Sequence, residues 1–370
     1  MTSNTTHSKF GFCMGNRAGW KSIRARLEKF LPAVTGEPWV VVHLEDQWRS
    51  FGEFTRRLGK LRMAYDALAG RAAVQHAIRQ GARQIILATY SNCPWLPQVK
   101  GVRYFIFFDA TIRQLAELGY SGPVRDASRM AKLMYGHGVR RQARAGHHFF
   151  CMSSWCAKSL QAEHGVADNQ ITIIPPMVDT GYWVPRPGAR LPGPMRVIFI
   201  GADFIRKGGD VLMEIAAMPE FAEVEWHLVT KSPPPTDLAN VKCYTGFDAD
   251  ADGLRKLVQA SDVLVLPTRA DCSSIVVLEA GASGIPAIAT KMAGIIDLID
   301  DGISGQFIDA PNAACLAEAL RQYRAAPELL ESHGRAARDK MVREFDARVV
   351  VANIRHAMNQ HGVDSRPGSA

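Results

Sequence analysis

Two short stretches of this 370-residue chain combine residue types that can hold a charged, hydroxyl-rich ligand. The first is Arg206-Lys207-Gly208-Gly209, just after the apolar run 195–200. Two cations beside glycines, at a strand-to-helix turn, suit a diphosphate: Arg binds phosphate in a bidentate manner and Lys acts as a point charge. A solvated charged loop is the other reading. The second stretch runs from Val263-Leu264-Val265-Leu266-Pro267-Thr268 through Asp271-Cys272-Ser273-Ser274 into Ile275-Val276-Val277-Leu278-Glu279-Ala280. A buried strand ends, a polar loop follows and a helix begins. Free N–H groups at a helix start attract phosphate, and Ser273 and Ser274 are small enough to cap it. Asp271 and Glu279 lie eight positions apart, on either side of the turn. Carboxylates there can accept hydrogen bonds from vicinal hydroxyls of a sugar and a ribose. An ordinary capped helix with two solvated acids fits the same residues. No P-loop pattern occurs, so ATP hydrolysis has no support.

The elements that must position these residues can be read from periodicity. Residues 10–14, 39–44, 84–88, 102–108 and 148–152 read as strands, with helical patterns over 56–78 and 127–142. Ile23, Leu27 and Phe30 recur at helical spacing among Lys21, Arg24, Arg26 and Lys29. After a Pro/Gly cluster at 185–194 the alternation restarts, with strands at 195–200, 225–229, 263–267, 286–289 and 305–308. Residues 327–358 are helical in composition. Alternation of this kind gives parallel α/β sheets with helices on both faces. We expect an N-terminal Rossmann-like domain over 1–180 and a second over 181–345. Helix 346–361 is expected to return to the first domain, and 362–370 to form a disordered tail.

Bulk properties narrow the function. Hydrophobic residues make up 47% of the chain, as in a globular protein. No apolar run approaches the ~20 residues of a membrane span. The N-terminus lacks a signal-peptide core, which makes the cytoplasm the expected compartment. Seven scattered cysteines form no disulfide framework. Cys151 and Cys156 lack companion zinc ligands. Asp248, Asp250 and Asp252 read as a solvated loop, so no metal site is expected. Residues 1–180 carry 24 Lys and Arg against 12 Asp and Glu, and residues 181–370 carry 20 against 24. The halves therefore suit different partners, but no nucleic-acid recognition motif accompanies the charge.

Several motifs in register resemble the donor-binding domain of family 4 retaining glycosyltransferases of the GT-B fold. "GADFIRKGGD" is similar to the family's diphosphate loop. Asp271-x7-Glu279, within "VVLEAGASGIPAIAT", resembles its Glu-x7-Glu motif. "AGIIDLIDDGISGQFI" resembles its Gly-Gly turn and the acidic residue that follows. The likeness is close over 150–355 and loose before it. There are departures. Asp271 replaces the first Glu and is one methylene shorter. Ala202 stands where the family often has Arg, and Arg206 beside Lys207 is the substitute charge. The family's N-domain histidine is absent; Phe108-Asp109-Ala110-Thr111 occupies about its place. Asp109 is therefore a candidate polar contact to the sugar, with strand-end or helix-capping service as the alternative. Gly15 resembles the N-domain loop that approaches the diphosphate, and Gly246 with Phe247 the loop that frames the base.

The resemblance implies two Rossmann-like domains facing each other across a cleft. It also implies retaining transfer of a sugar from a nucleoside-diphosphate sugar to an acceptor hydroxyl on a glycan, polysaccharide or lipid-linked molecule. Arg206, Lys207 and the amides of Ser273, Ser274 and Ile275 would stabilise the departing diphosphate, with no metal required. Asp271 would orient the sugar and Glu279 the ribose. A non-catalytic nucleotide-sugar binding module and a nucleotide-sugar epimerase of the same fold are the alternatives. Trp20 and Phe30, and the segment 48–62, resemble interfacial basic-aromatic stretches. They raise peripheral contact with an anionic membrane as a possibility beside a buried aromatic stripe under a solvated basic face.

Overall fold

The computed structural model describes residues 9–14, 20–43, 62–88, 96–119, 129–188, 193–247 and 252–362. The chain divides into two compact units. One comprises Met1–Pro176 with Ala347–Ala370, the other Met177–Asp346.

The first unit is built on β1 (Phe10–Met14), α1 (Trp20–Thr35), β2 (Trp39–His43), α2 (Arg62–Arg79), β3 (Gln84–Ala88), β4 (Arg103–Phe108), α3 (Ile112–Glu117), α4 (Arg129–Arg144), β5 (His148–Cys151), α5 (Ser154–His164) and β6 (Ile171–Ile173). Its six strands lie in the order β2-β1-β3-β4-β5-β6, with every neighbouring pair parallel. Runs such as RYFIFF and HFFC are apolar without alternation because helices cover both faces of a parallel sheet. β6 was not read as a strand from sequence; its three residues, ITI, are too few to show a period.

The second unit contains β7 (Arg196–Ile200), α6 (Gly209–Ala216), β8 (Glu225–Val229), β9 (Val241–Tyr244), α7 (Asp252–Ala260), β10 (Val263–Leu266), α8 (Ile275–Ala282), β11 (Ala287–Thr290), β12 (Gly305–Ile308), α9 (Ala313–Ala325) and α10 (Pro327–Lys340). The strand order is β12-β11-β10-β7-β8-β9, again all parallel. The chain winds outward from β7 through β8 and β9, then returns to place β10 on β7's other side. The loops leaving β7 and β10 therefore flank a topological switch point, where open α/β sheets bind ligands. β9 is an edge strand whose residues VKCY are half-buried or exposed, which hid it from a search for apolar runs.

The helical stretch 327–358 is interrupted. After α10 comes a π-helical turn, Met341–Phe345, and then extended Asp346. Asp346 bridges Val178 in parallel, and its carboxylate accepts the Thr180 hydroxyl. Arg338 donates to the carbonyls of Trp183, Ala282 and Thr180. These partners fix the break where local composition favours helix. Helix α11 (Ala347–His361) then belongs to the first unit and packs on α1, with the Arg348 guanidinium 5.3 Å from the Phe30 ring centroid. Phe30 is buried, so it offers no aromatic face to a membrane. Trp20 is half-buried and meets Phe107 edge-on. Of the other interfacial candidate, 48–61 lies outside the described residues. The six described cysteines are all free.

Within the first unit, buried His148 shares a hydrogen bond of 2.8 Å with the Thr172 hydroxyl. Its ring stacks on His361 at 4.1 Å. Burial, then the charges of His361 and Arg103, push the His148 pKa down to about 3, and burial also lowers that of His361. An unfolded histidine titrates near ~6.5. Between those values the unfolded chain binds the proton that the folded chain refuses, so stability is present above pH ~6.5 and is lost as pH falls. Melting curves should show a lower Tm at pH 5 than at pH 7.5. The His148→Leu variant should lose less over that interval than the parent chain.

Candidate functional site

The loop from β7 to α6 and the loop from β10 to α8 are neighbours because their strands pair, Val197 beside Val263 and Ile198 beside Leu264. Glycine makes the approach of the loops possible. Gly208 has φ +84°, and a Cβ there would run into the carbonyl oxygen of Pro267. A Cβ on Gly209 would strike the Phe204 ring. Polar contacts close the seam. The Arg269 amide donates to the Arg206 carbonyl at 2.8 Å. The Arg269 guanidinium grips both Asp210 oxygens at 2.7 and 2.8 Å and donates to the Ile205 carbonyl at 2.6 Å. Burial works against the Asp210 charge, but Arg269's hydrogen bonds and charge outweigh it and hold the carboxyl below its usual range.

This seam brings together three of the residues singled out from sequence, Arg206, Lys207 and Asp271. The Lys207 ammonium donates to the Asp271 carboxylate. Arg206 reaches Asp203 at 3.0 Å and the Ala270 carbonyl at 2.6 Å. Both cations are thus tied to the protein rather than waving in solvent. Ser274 takes the N-cap position of α8, yet its side chain makes no capping bond. This corrects the expectation that the serines cap the helix. The hydroxyls of Ser273 and Ser274 are instead buried and lack a hydrogen-bond partner among the described residues. Ile275 begins the helix, and Glu279 is buried one turn further on.

Two hydroxyls that sequence reasoning missed share this condition. Thr230 directly follows β8 and Thr290 ends β11; both are buried, and neither hydroxyl has a partner. Leaving such a group unsatisfied costs about 1–3 kcal/mol, so four at the carboxyl ends of one sheet call for an explanation. The unit's remaining cases, Trp226 and Arg255, lie in a strand and a helix. The available signal was only positional: each Thr ends an apolar run. Arg269 was likewise passed over although it stands two residues from Asp271.

Gly246 is exposed with φ +78°. Phe247 beside it is half-buried and stacks on Tyr244 at 5.9 Å, and the Tyr244 hydroxyl pairs with His227 at 2.9 Å. The Thr230 amide donates to the Tyr244 carbonyl, which joins this aromatic edge to the orphan hydroxyls. Asp109 belongs to the first unit, half-buried just after β4. Helix capping there is done by Thr111, whose hydroxyl accepts from the Gln114 amide in a capping box. Gly15 lies outside the described residues, as do Asp248 and Asp250. Among the described residues no group of three or more His, Cys, Asp or Glu could hold a metal ion.

The loop following Cys272 is held by the Gly294 amide, which donates to the Cys272 carbonyl at 2.9 Å. Gly294 sits in the 3-10 turn Ala293–Asp297. Ala293 has φ +44°, the one non-glycine with positive φ among the described residues.

Comparison with known proteins points the same way. Residues 194–325 match the family described as glycosyl transferases group 1. The D-inositol 3-phosphate glycosyltransferase of Arthrobacter sp. (strain FB24) is 27% identical over 202 residues, covering 49% of this chain and 48% of that protein. The alpha-maltose-1-phosphate synthase of Mycobacterium tuberculosis (strain ATCC 25618 / H37Rv) is 36% identical over 98 residues, 25% of each chain. The chain spans about half the length of the first of these relatives and less of the second. Among solved structures, the sucrose-phosphate synthase from Thermosynechococcus elongatus superposes with TM-score 0.73 at 18% identity, over 95% of this chain and 98% of that one. Anabaena HepE in complex with UDP-glucose gives 0.67 at 14%, over 96% and 100%. The likeness is one of fold, the GT-B class with two Rossmann-like units in one chain.

The seam can be tested by its backbone. Gly208→Ala should destabilise the chain by more than about 2 kcal/mol, because a left-handed alanine and a carbonyl clash add together. Ala293→Gly should be neutral or stabilising by up to about 1 kcal/mol, since it relieves the same left-handed strain. Denaturant midpoints of both variants check the pair.

Proposed function

We propose, from the match of residues 194–325 to the glycosyl transferases group 1, that this chain transfers a sugar from a nucleoside-diphosphate sugar to an acceptor hydroxyl. The observation that carries the reading is the meeting of Lys207, Arg206 and Asp271 with the start of α8 at the switch point of the second sheet. The hard step is departure of the diphosphate, which gathers negative charge. Lys207, Arg206 and the backbone amides at Ser273, Ser274 and Ile275 meet that charge where it develops. Two cations and a helix start supply the role often given to a metal, so transfer needs none.

In the free protein Lys207 and Asp271 satisfy each other. Donor binding exchanges those partners, Lys207 for a phosphate oxygen and Asp271 for sugar hydroxyls. Exchange of like for like avoids the cost of a bare buried charge. Glu279 takes the ribose, and the orphan hydroxyls of Ser273 and Ser274 gain acceptors or donors from the ligand. Gly246 and Phe247 frame the base. Asp109 is the first unit's candidate for polar contact with the transferred sugar. The configuration at the anomeric carbon is retained, and the acceptor is a glycan or a lipid-linked molecule reached through the basic first unit.

A melting screen against nucleoside diphosphates and their sugars, with Mg²⁺ or with EDTA, tests the donor site. A ligand at ~100 times its Kd stabilises by about 2.7 kcal/mol. One nucleotide class should raise Tm equally in both conditions, and Lys207→Ala and Glu279→Gln should abolish the rise. Lys207→Ala should also lower transfer by on the order of 10²-fold or more. Full turnover in either variant would remove the assignment, and a shift without any transfer would favour a binding module.

A further inference from the structure

The first unit presents a surface that the donor chemistry does not use. Helix α4 has the sequence RMAKLMYGHGVRRQAR, with five Lys and Arg and no Asp or Glu. Its inward side is closed: Tyr135, Val139 and Gln142 are buried. Positions 130, 134, 137, 141 and 144 advance by four and three residues and so share one face, with 133 beside them. All of these are exposed. Met130 is 65% exposed, Leu133 64% and Met134 43%, three large apolar side chains grouped on one helix. The other large exposed hydrophobics among the described residues are dispersed over both units. Arg141 and Arg144 continue the face, and Arg129 and Lys132 flank its apolar end.

Apolar side chains bracketed by cations, with no anion on the helix, complement one class of partner well. A bilayer with anionic headgroups accepts Met and Leu at the acyl boundary and pairs the Arg and Lys above it. A purely polar acidic surface would leave the three apolar side chains uncovered. We infer that the outer face of α4 docks the chain on an anionic lipid surface. This deepens the acceptor side of the proposed function and rests on it only for the purpose of docking, not for the docking itself.

The topology says what docking would achieve. β4 and β5 are parallel neighbours, so the chain between them must return. Arg144 is followed directly by the turn into β5, which puts the C-terminus of α4 at the strand starts. Its apolar N-terminal end therefore lies toward the carboxyl ends of the strands, the end that carries Asp109. Ligands of α/β sheets bind at that end. A membrane against Met130, Leu133 and Met134 brings lipid headgroups to the same end of the unit, which suits an acceptor carried on a lipid.

Vesicle flotation tests the inference with the full chain. Phosphatidylcholine vesicles containing phosphatidylglycerol should carry the protein at low salt, and vesicles of phosphatidylcholine alone should not. Arg141→Glu with Arg144→Glu should lower the bound fraction at least about tenfold, given the worth of each cation near an anionic surface. Met130→Ser with Leu133→Ser and Met134→Ser should lower it comparably at low salt. Melting curves and nucleotide affinity in solution establish that these variants fold, and read the donor site separately. Absence of flotation with anionic vesicles, or equal flotation of the variants, overturns the proposal. So does a parent chain that is dimeric by sedimentation and becomes monomeric in the apolar variant, because a second copy would then cover the face.

Discussion

Everything at the switch point depends on how closely two backbones approach, Gly208 against the carbonyl of Pro267. β7 and β10 lie at ordinary sheet spacing, so their loops must either diverge or interlock. A side chain at 208 would force divergence. Glycine permits the interlock, and the left-handed turn it adopts places Lys207 on the Asp271 side. Arg269 then fastens the seam by holding Asp210 and the Ile205 carbonyl at once. An exposed ion pair of this kind is worth little as stability. Its consequence is geometric, because it fixes the start of α6 relative to the loop that carries Asp271.

Among the described residues, Lys207, Arg206 and Arg269 pair with carboxylates, while the hydroxyls of Ser273, Ser274, Thr230 and Thr290 have no protein partner. That division follows from the energies. A buried charge without a partner would not persist. An orphan hydroxyl costs only about 1–3 kcal/mol, which a folded domain can carry. Thr230 and Thr290 stand at the ends of β8 and β11, and Ser273 and Ser274 at the start of α8.

Much of this was legible in the sequence, for reasons particular to each element. Strands such as 84–88, 225–229 and 305–308 were read with their final bounds because parallel strands are short apolar runs between turn residues. Arg206, Lys207, Asp271 and Glu279 were singled out through their spacing after such strands, the first three in loops and Glu279 in the helix that follows. What escaped depends on partners distant in the chain. β9 pairs only on one side, and its residues carry no apolar signature. The break at Asp346 comes from Val178 and Thr180, more than 160 residues earlier. The serines before α8 looked like caps because local chemistry favours that role, yet Ser274 at the N-cap makes no capping bond. Phe30 looked interfacial because α11, which covers it, arrives at the far end of the sequence.

Net charge also has to be read by location. The half that carries 20 Lys and Arg against 24 acids is the half that holds the Arg206, Lys207 and Arg269 cluster, and the more basic half is not. A contact site needs only two or three cations at short range, and it gains from having acids to hold them in place. Asp203, Asp210 and Asp271 do this for Arg206, Arg269 and Lys207. An excess of cations over acids acts differently. Its field extends over about a Debye length of ~8 Å in physiological salt, far enough to meet a charged surface but too diffuse to define a pocket. The acid-free helix α4 belongs to that second kind of electrostatics. The paired charges of Arg206, Arg269 and Lys207 thus act at contact range, and the surplus charge of α4 over the longer one.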